Sequence, residues 1–327
     1  MTDNWNLLGH NWAVDMLRRH IATGEARHAY LFAGPAGLGR RSLALAFARA
    51  LNCTNPPAPG DFCGQCRDCK GIAAMGHPDL AVVQAENEGG ILKVDQVREM
   101  KRTVSLKPYQ SKYRVALFLR FQEANDNASN ALLKTLEEAP AHAILLLTAA
   151  NPESLLPTIV SRCEVLRLRP LPLEQVQREL ESRGIENSHA ELIAHISGGR
   201  PGYAFRLAED KSLLEFRSQR LDDLQKLLSS SRVDKFAYVE KLAKEKDVMR
   251  QTLLVWQSFW RDVFLRASKA ESPIANVDRA GEVDSLTKQL DLPAARRRVA
   301  EVERALQQME RNVNARLLME VLLLNWK

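Results

Sequence analysis

The chain has 327 residues, 45% of them hydrophobic and 26% charged, with a formal net charge of +6. That is the make-up of a soluble globular protein long enough for two or three domains. No apolar run approaches the ~20 residues that span a bilayer. Met1-Thr2-Asp3-Asn4-Trp5 shows no basic segment followed by an apolar core, so neither a membrane span nor an export signal is predicted, and the cytoplasm is the expected compartment. The basic surplus permits a nucleic-acid partner without requiring one, because a surplus of this size is commonly a solvated surface.

Residues 11–23 carry Ala13, Leu17 and Ile21 at helical spacing and predict an amphipathic helix. Ala29-Tyr30-Leu31-Phe32-Ala33 predicts a strand. Gly34-Pro35-Ala36-Gly37-Leu38-Gly39-Arg40-Arg41-Ser42 follows, and Leu43, Phe47 and Leu51 then open a helix that ends near Asn52. Strand, glycine-rich turn and helix are the setting of a phosphate-binding loop, whose working form reads G-x-x-x-x-G-K-[ST]. Gly34 and Gly39 stand in place, but Arg40 holds the lysine position and Arg41 the hydroxyl position. Ser42 comes one residue late, which on a helix turns it about 100° away from a magnesium ion. Gly34, Gly37, Gly39, Arg40 and Ser42 are thus the candidates of a degenerate phosphate loop. Arginine remains a good phosphate ligand, although glycine-rich turns also occur without any ligand.

A proline-rich stretch, Thr54 to Gly60, leads into Cys63-Gly64-Gln65-Cys66-Arg67-Asp68-Cys69. With Cys53 the spacing is C-x9-C-x2-C-x2-C. Tetrahedral zinc needs four thiolates converging at about 2.3 Å, and tight C-x2-C turns deliver them from short loops. Cys53, Cys63, Cys66 and Cys69 are therefore read as the ligands of a structural zinc with no open coordination position. Four unrelated buried thiols would not gather in a proline-rich loop. Cys163 stands alone and is assigned no metal.

Leu80–Val83 predicts a second strand and residues 94–100 a helix. Residues 114–119 and 143–148 are continuous apolar runs, the mark of strands buried on both faces of a sheet, with a helix over 125–138 between them. Strands alternating with helices predict a parallel α/β sheet that closes near Arg169-Pro170. Hydrolysis of a nucleotide also needs a metal ligand and a water-orienting carboxylate at the end of the strand after residue 113. That end reads Leu117-Phe118-Leu119-Arg120-Phe121-Gln122-Glu123, so the acidic pair is missing and Glu123 lies too far along to replace it. Residues 173–208 predict a small helical unit broken at Ser197-Gly198-Gly199-Arg200-Pro201-Gly202. From about 210 onward only helical periodicity remains. One apolar stripe there is Leu253, Trp256, Trp260, Val263 and Phe264, and another is Val299, Val302, Leu306, Met309, Val313 and Leu317. Ser272-Pro273 and Leu292-Pro293 mark linkers.

Asn130-Ala131-Leu132-Leu133-Lys134-Thr135-Leu136-Glu137-Glu138-Ala139-Pro140, followed by Leu155 to Cys163, strongly resembles the AAA+ subunits of the bacterial DNA polymerase III clamp loader. His28 to Gly34 and the placement of the four cysteines resemble the family too. The resemblance is specific over residues 5–207 and general over the C-terminal helices. It implies an AAA+ α/β domain over 1–169 with a zinc-binding insertion at 53–69, a small helical lid over 170–208, and an all-α collar over 209–327 that joins the subunits. Aligned on Asn130, the family's acidic pair falls on Leu119 and Arg120, which with Gly-Arg-Arg-Ser makes the chain similar to the stator-type subunit and unlike the tau/gamma motor. A further arginine that the family carries near the lid is either Arg200 or, when aligned through Ala204-Phe205, replaced by Gly202.

Ser161-Arg162-Cys163 is intact, and the resemblance implies that Arg162 projects into a neighbour's ATP site as an arginine finger. The residues alone leave a second reading, an arginine capping a helix C-terminus. The implied partners are the tau/gamma and delta subunits and, through the assembly, the sliding clamp and primer-template DNA, with no membrane. The rival readings are an ATP-hydrolysing motor subunit that uses Arg40, and a zinc-containing DNA-binding module in which Arg67 and Lys70 contact DNA. Asp68 between those cations and the lack of an aromatic stacking surface speak against the latter.

Overall fold

A computed structural model describes residue 5, residues 7–310 and residues 313–326; Met1–Asn4, read above for an export signal, lie outside the described residues. The chain divides into two compact units, Met1–Leu171 with Arg200–Gly202, and Pro172–Gly199 with Tyr203–Lys327.

In the first unit the elements run α1 (Asn11–Ala22), β1 (Ala29–Ala33), α2 (Arg40–Asn52), α3 (Arg67–Ala73), β2 (Leu80–Val83), α4 (Val94–Ser105), β3 (Arg114–Phe118), α5 (Asp126–Glu137), β4 (Ala143–Ala149), α6 (Pro157–Val160) and β5 (Glu164–Arg167). Among the described residues the strands form one sheet in the order β2-β3-β4-β1-β5, every pairing parallel. Side chains alternate across it. Tyr30, Phe32, Val115, Leu117, Ile144 and Leu146 pack with α1, α2 and α3 on one face. Leu31, Ala116, Phe118, Leu145 and Leu147 pack with α4 and α5 on the other. Helices on both faces bury β1, β3 and β4 at every position, so these strands read as apolar runs with no polar alternation. β5 escapes the sequence reading because only Leu166 of its four residues is buried.

The second unit is helical: α7 (Leu173–Ser182), α8 (Asn187–Ser197), α9 (Pro201–Glu209), α10 (Lys211–Ser229), α11 (Arg232–Leu242), α12 (Lys246–Ala267), α13 (Ala280–Gln289), α14 (Leu292–Glu310) and α15 (Ala315–Asn325). Pro201 and Gly202 at the head of α9 belong to the first unit. Leu253, Trp256, Trp260 and Val263 of α12 are buried, and the Trp326 ring lies 5.4 Å from both indoles.

Two expectations are corrected. The stripe from Val299 to Leu317 is not continuous: Val302 and Met309 are buried on α14, whereas Val313 and Leu317 are 44% and 56% exposed. The Asn314 side chain accepts the Leu317 N–H and starts a new helix with a new phase. Leu292-Pro293 is not a linker but the first turn of α14. Proline is tolerated there because its missing N–H would have no partner in the helix, and Asp291 caps the Ala294 N–H at 2.8 Å.

Candidate functional site

The glycine-rich loop over residues 34–39, read above as a candidate phosphate loop, joins β1 to α2. Gly34 has φ +152°, its N–H donates to the Ala149 carbonyl at 3.1 Å, and a Cβ there would stand 2.6 Å from the Leu168 carbonyl oxygen. Only glycine fits. Gly37 and Gly39 both take φ +86°, and Gly39 is the residue before α2. The Gly37 carbonyl accepts the Gly202 N–H at 2.8 Å. Gly202 is thus laid against the loop, where even a Cβ would come within 3.1 Å of that carbonyl.

Arg40 opens α2, and its Nη1 is buried without a hydrogen-bond partner among the described residues. Burial, and after it repulsion from the Arg120 guanidinium, holds its pKa below the usual arginine value, with Glu88 pulling the other way. Arg41 and Ser42 are exposed. The loop thus presents a cation without the hydroxyl that would hold a magnesium ion.

The end of β3 carries Leu119 and Arg120 where the sequence reading looks for an acidic pair. Leu119 is buried. Arg120 adopts a left-handed backbone with φ 52°; its N–H donates to Thr148 Oγ1 at 2.9 Å, and its Nε donates to Glu123 Oε1 at 2.8 Å. The same Glu123 oxygen accepts the Gly89 N–H at 2.9 Å. Through Oε1 the first acid past the strand holds an arginine and a backbone turn, while its Oε2 is buried without a hydrogen-bond partner among the described residues. Thr148, buried in β4, also donates to the Phe118 carbonyl at 3.3 Å, and Asn151 caps the turn at Ser154. Both polar residues of this strand end serve the backbone.

At the other end of α2, where Cys53 follows Asn52, the Sγ atoms of Cys53, Cys63, Cys66 and Cys69 lie within 4.8 Å of one another. All are free thiols. Sulfurs bound to one zinc ion at about 2.3 Å would stand ~3.8 Å apart, so this cluster fits a tetrahedral ion with small inward shifts. Backbone N–H groups already point at sulfur: Cys63 to Cys53 at 3.2 Å, Cys66 to Cys63 at 3.2 Å and Cys69 to Cys66 at 3.4 Å. Such donors favour thiolate. At Cys66 burial pushes the thiol up, but hydrogen bonds from Cys69 and Thr54 outweigh it and bring the pKa down to about 6. Cys163 lies apart, packed against the other face of the sheet, with burial pushing its pKa to about 12.

Arg162 follows α6 and is about one-third exposed. Its Nη2 donates to Glu137 Oε1 at 2.6 Å, and its Nη1 donates to the Thr158 carbonyl at 3.0 Å and to Ser161 Oγ at 3.4 Å. The capping contact of the simpler reading is present, joined by an ion pair that the sequence did not disclose.

Residues 9–172, half of the chain, match the family described as DNA polymerase III, delta subunit, and residues 211–327 match the C-terminal domain of that subunit. Over 204 residues the chain is 40% identical to DNA polymerase III subunit delta' of Pseudomonas aeruginosa. The chain belongs to the DNA polymerase III delta-subunit family. The aligned stretch is 62% of this chain and 61% of that relative. A second relative, DNA polymerase III subunit tau of Bacillus subtilis, is 30% identical over 73% of this chain and 42% of its own length. The chain thus spans about six tenths and four tenths of the lengths of these two relatives. A solved DNA polymerase III gamma subunit-related protein from Thermotoga maritima overlaps 96% of this chain and 98% of its own at 18% identity, with a TM-score of 0.45; at that score it adds nothing to the fold, which rests on the sheet itself. Among the described residues no helix is long and apolar enough to cross a membrane.

Proposed function

We propose that this chain is the stator of a clamp loader: a subunit that does not turn over ATP, and that supplies Arg162 in trans to the ATP site of a neighbouring tau/gamma-type motor subunit. One observation carries the first half. Where a motor needs a magnesium ligand and a water-orienting carboxylate, the end of β3 offers Leu119 and Arg120, and Glu123 is tied to Arg120 at 2.8 Å. A second guanidinium beside Arg40 repels the divalent ion that phosphoryl transfer uses.

The second half rests on the match of the surrounding stretch to the family and on the placement of Arg162 at an exposed turn with donors to spare. In phosphoryl transfer, charge spreads over the equatorial oxygens of the moving group, and an arginine from a neighbouring chain stabilises it by ~10³–10⁵ in rate. On this reading the four cysteines hold a structural zinc that staples the proline-rich insertion to α2 and α3. The chain works as three parts: the α/β domain 1–169, the lid 170–208 and the collar 209–327. Leu317 and Val321, one turn apart on α15 and 56% and 50% exposed, suit a collar that packs against other subunits. The delta subunit, the sliding clamp and primed DNA are then reached through the assembly, in the cytoplasm. The unpartnered Nη1 of Arg40 supports a narrower second reading, that a nucleotide phosphate binds here without being hydrolysed.

ATP turnover by a reconstituted clamp loader, wild type against Arg162→Ala, with the isolated chain as control, tests the proposal. A silent isolated chain and an intact mutant assembly with greatly reduced turnover is the expected result. Turnover by the isolated chain that disappears in Arg40→Ala would make it a motor, and an Arg162→Ala assembly that hydrolyses ATP normally would reduce Arg162 to a helix cap.

A further inference from the structure

We propose that Glu137 is a latch on Arg162, a carboxylate that occupies the guanidinium and that the neighbour's ATP phosphate must displace. The inference rests on the reading of Arg162 as the trans finger and adds the residue that restrains it.

Three of the five N–H donors of Arg162 have partners within the same chain. Nη1 is folded back on the Thr158 carbonyl at 3.0 Å and on Ser161 Oγ at 3.4 Å, and Nη2 meets Glu137 Oε1 at 2.6 Å. The Nε donor and the second Nη2 donor have none among the described residues. Two donors suffice for a first contact with a phosphate oxygen. The full positive charge is not available to it, because the carboxylate sits directly on the group.

Local helix energetics do not favour Glu137 where it stands. It is the last residue of α5, at the end of the helix where the backbone dipole disfavours an acid. Arg162 is its only ion-pair partner among the described residues, and both side chains are open to water, at 35% for the arginine and 50% for the acid. An ion pair so exposed is weak enough to exchange for a phosphate that carries more than one negative charge. A buried pair would not be. The arrangement therefore delays the finger without disabling it: the guanidinium is kept in one place, neutralised, until a stronger anion arrives from the adjacent subunit.

The test is ATP turnover by the reconstituted assembly without clamp or DNA, in Glu137→Gln, Glu137→Ala and each of these combined with Arg162→Ala. The exchange energy of an exposed pair sets the size of the effect at about two- to five-fold. Both single variants are expected to raise turnover by that factor, with Glu137→Gln included because it keeps the acceptor and removes only the charge. In the Arg162→Ala background neither is expected to change anything. Misfolding would lower turnover, the opposite sign. If Arg162→Ala lowers turnover while the Glu137 variants, assembled as fully as wild type, leave it unchanged or lower it, the finger stands and the latch falls. A gain that persists without Arg162 also overturns the latch, since Glu137 would then act elsewhere. If Arg162→Ala has no effect, the finger reading fails and the latch with it.

Discussion

His77 Nε2 lies 2.8 Å from Asp68 Oδ1, with the two side chains only 1% and 7% exposed. Asp68 sits between the cysteines on α3, and His77 lies just before β2, so this contact ties the cysteine module to the sheet. The Asp79 N–H donates to His77 Nδ1 at 3.0 Å. That nitrogen is therefore an acceptor, and the ring proton is on Nε2, facing the carboxylate. Gln110 Nε2 donates to the same Asp68 oxygen at 2.9 Å.

Replacing His77 by Phe removes a donor from a buried carboxylate at nearly constant volume. A loss of about 2–4 kcal/mol is expected, measured by urea unfolding. His77→Phe combined with Asp68→Asn should cost clearly less than the two changes added together, because they share one interaction. Full additivity would mean that the contact does not bind the module to the sheet.

Metal content follows from the four sulfurs. The purified chain is expected to hold one equivalent of zinc, released on chelation with loss of thermal stability, because a site built from folded loops stores its binding energy as folding energy. Cys66→Ser should abolish stoichiometric binding, and Cys163→Ser should leave it intact. Metal-free protein that melts at the same temperature as the loaded form would contradict a structural ion.

Gly34→Ala tests the loop itself. The new methyl would meet the Leu168 carbonyl at 2.6 Å and force a residue with a Cβ to φ +152°. About 1–3 kcal/mol of destabilisation is expected from the backbone strain, more if the carbonyl cannot move. Gly24→Ala makes a control for the strain, since φ there is +74° but nothing lies within 4 Å of its added Cβ.

Stability should fall with acid through two carboxylates, one in each unit. Burial pushes Asp79 up, but N–H donors from Tyr109, Gln110 and Ser111 and the Arg114 guanidinium outweigh it and hold it below the usual carboxylate range. Asp278 is also pushed up by burial and brought below its usual value by the forked Arg217, at 2.7 and 2.8 Å. With folded values below unfolded ones, the unfolded chain takes up protons first as pH falls. The stabilisation is full above about pH 5 and is lost as pH drops through the folded values. Asp79→Asn and Asp278→Asn should each flatten the acid limb of a stability–pH curve; an unchanged limb in both would show that other groups govern it.

Much of the site was legible in the chain because it depends on local spacing. Gly34 and Gly39 set the loop, the four cysteines set the metal cluster, and the missing acids at Leu119 and Arg120 are visible as absences. Glu137 was legible only as part of a motif, not as the partner of Arg162, because 25 residues separate them. Nothing in the periodicity marks His77 as the partner of Asp68, or Gly202 as the residue laid against Gly37. A polar residue shows no sign in sequence of whether it will be buried, nor of which donor will meet it.

By itself, the sequence determined the alternation of strands and helices, the parallel sheet and the helical C-terminal region, since buried strands must be apolar and amphipathic helices must repeat at 3.6 residues. It also determined the chemical inventory: four cysteines at metal-ligand spacing, Arg40 after the glycine-rich loop, and Leu119-Arg120 after β3. Only the tertiary structure decided how those groups are used. Folding places Arg120 against Glu123, aligns Thr148 with the Arg120 backbone, and closes Glu137 on Arg162. The Thr148 and Glu137 contacts join segments 28 and 25 residues apart, brought together by sheet order and helix packing, and no local pattern encodes them.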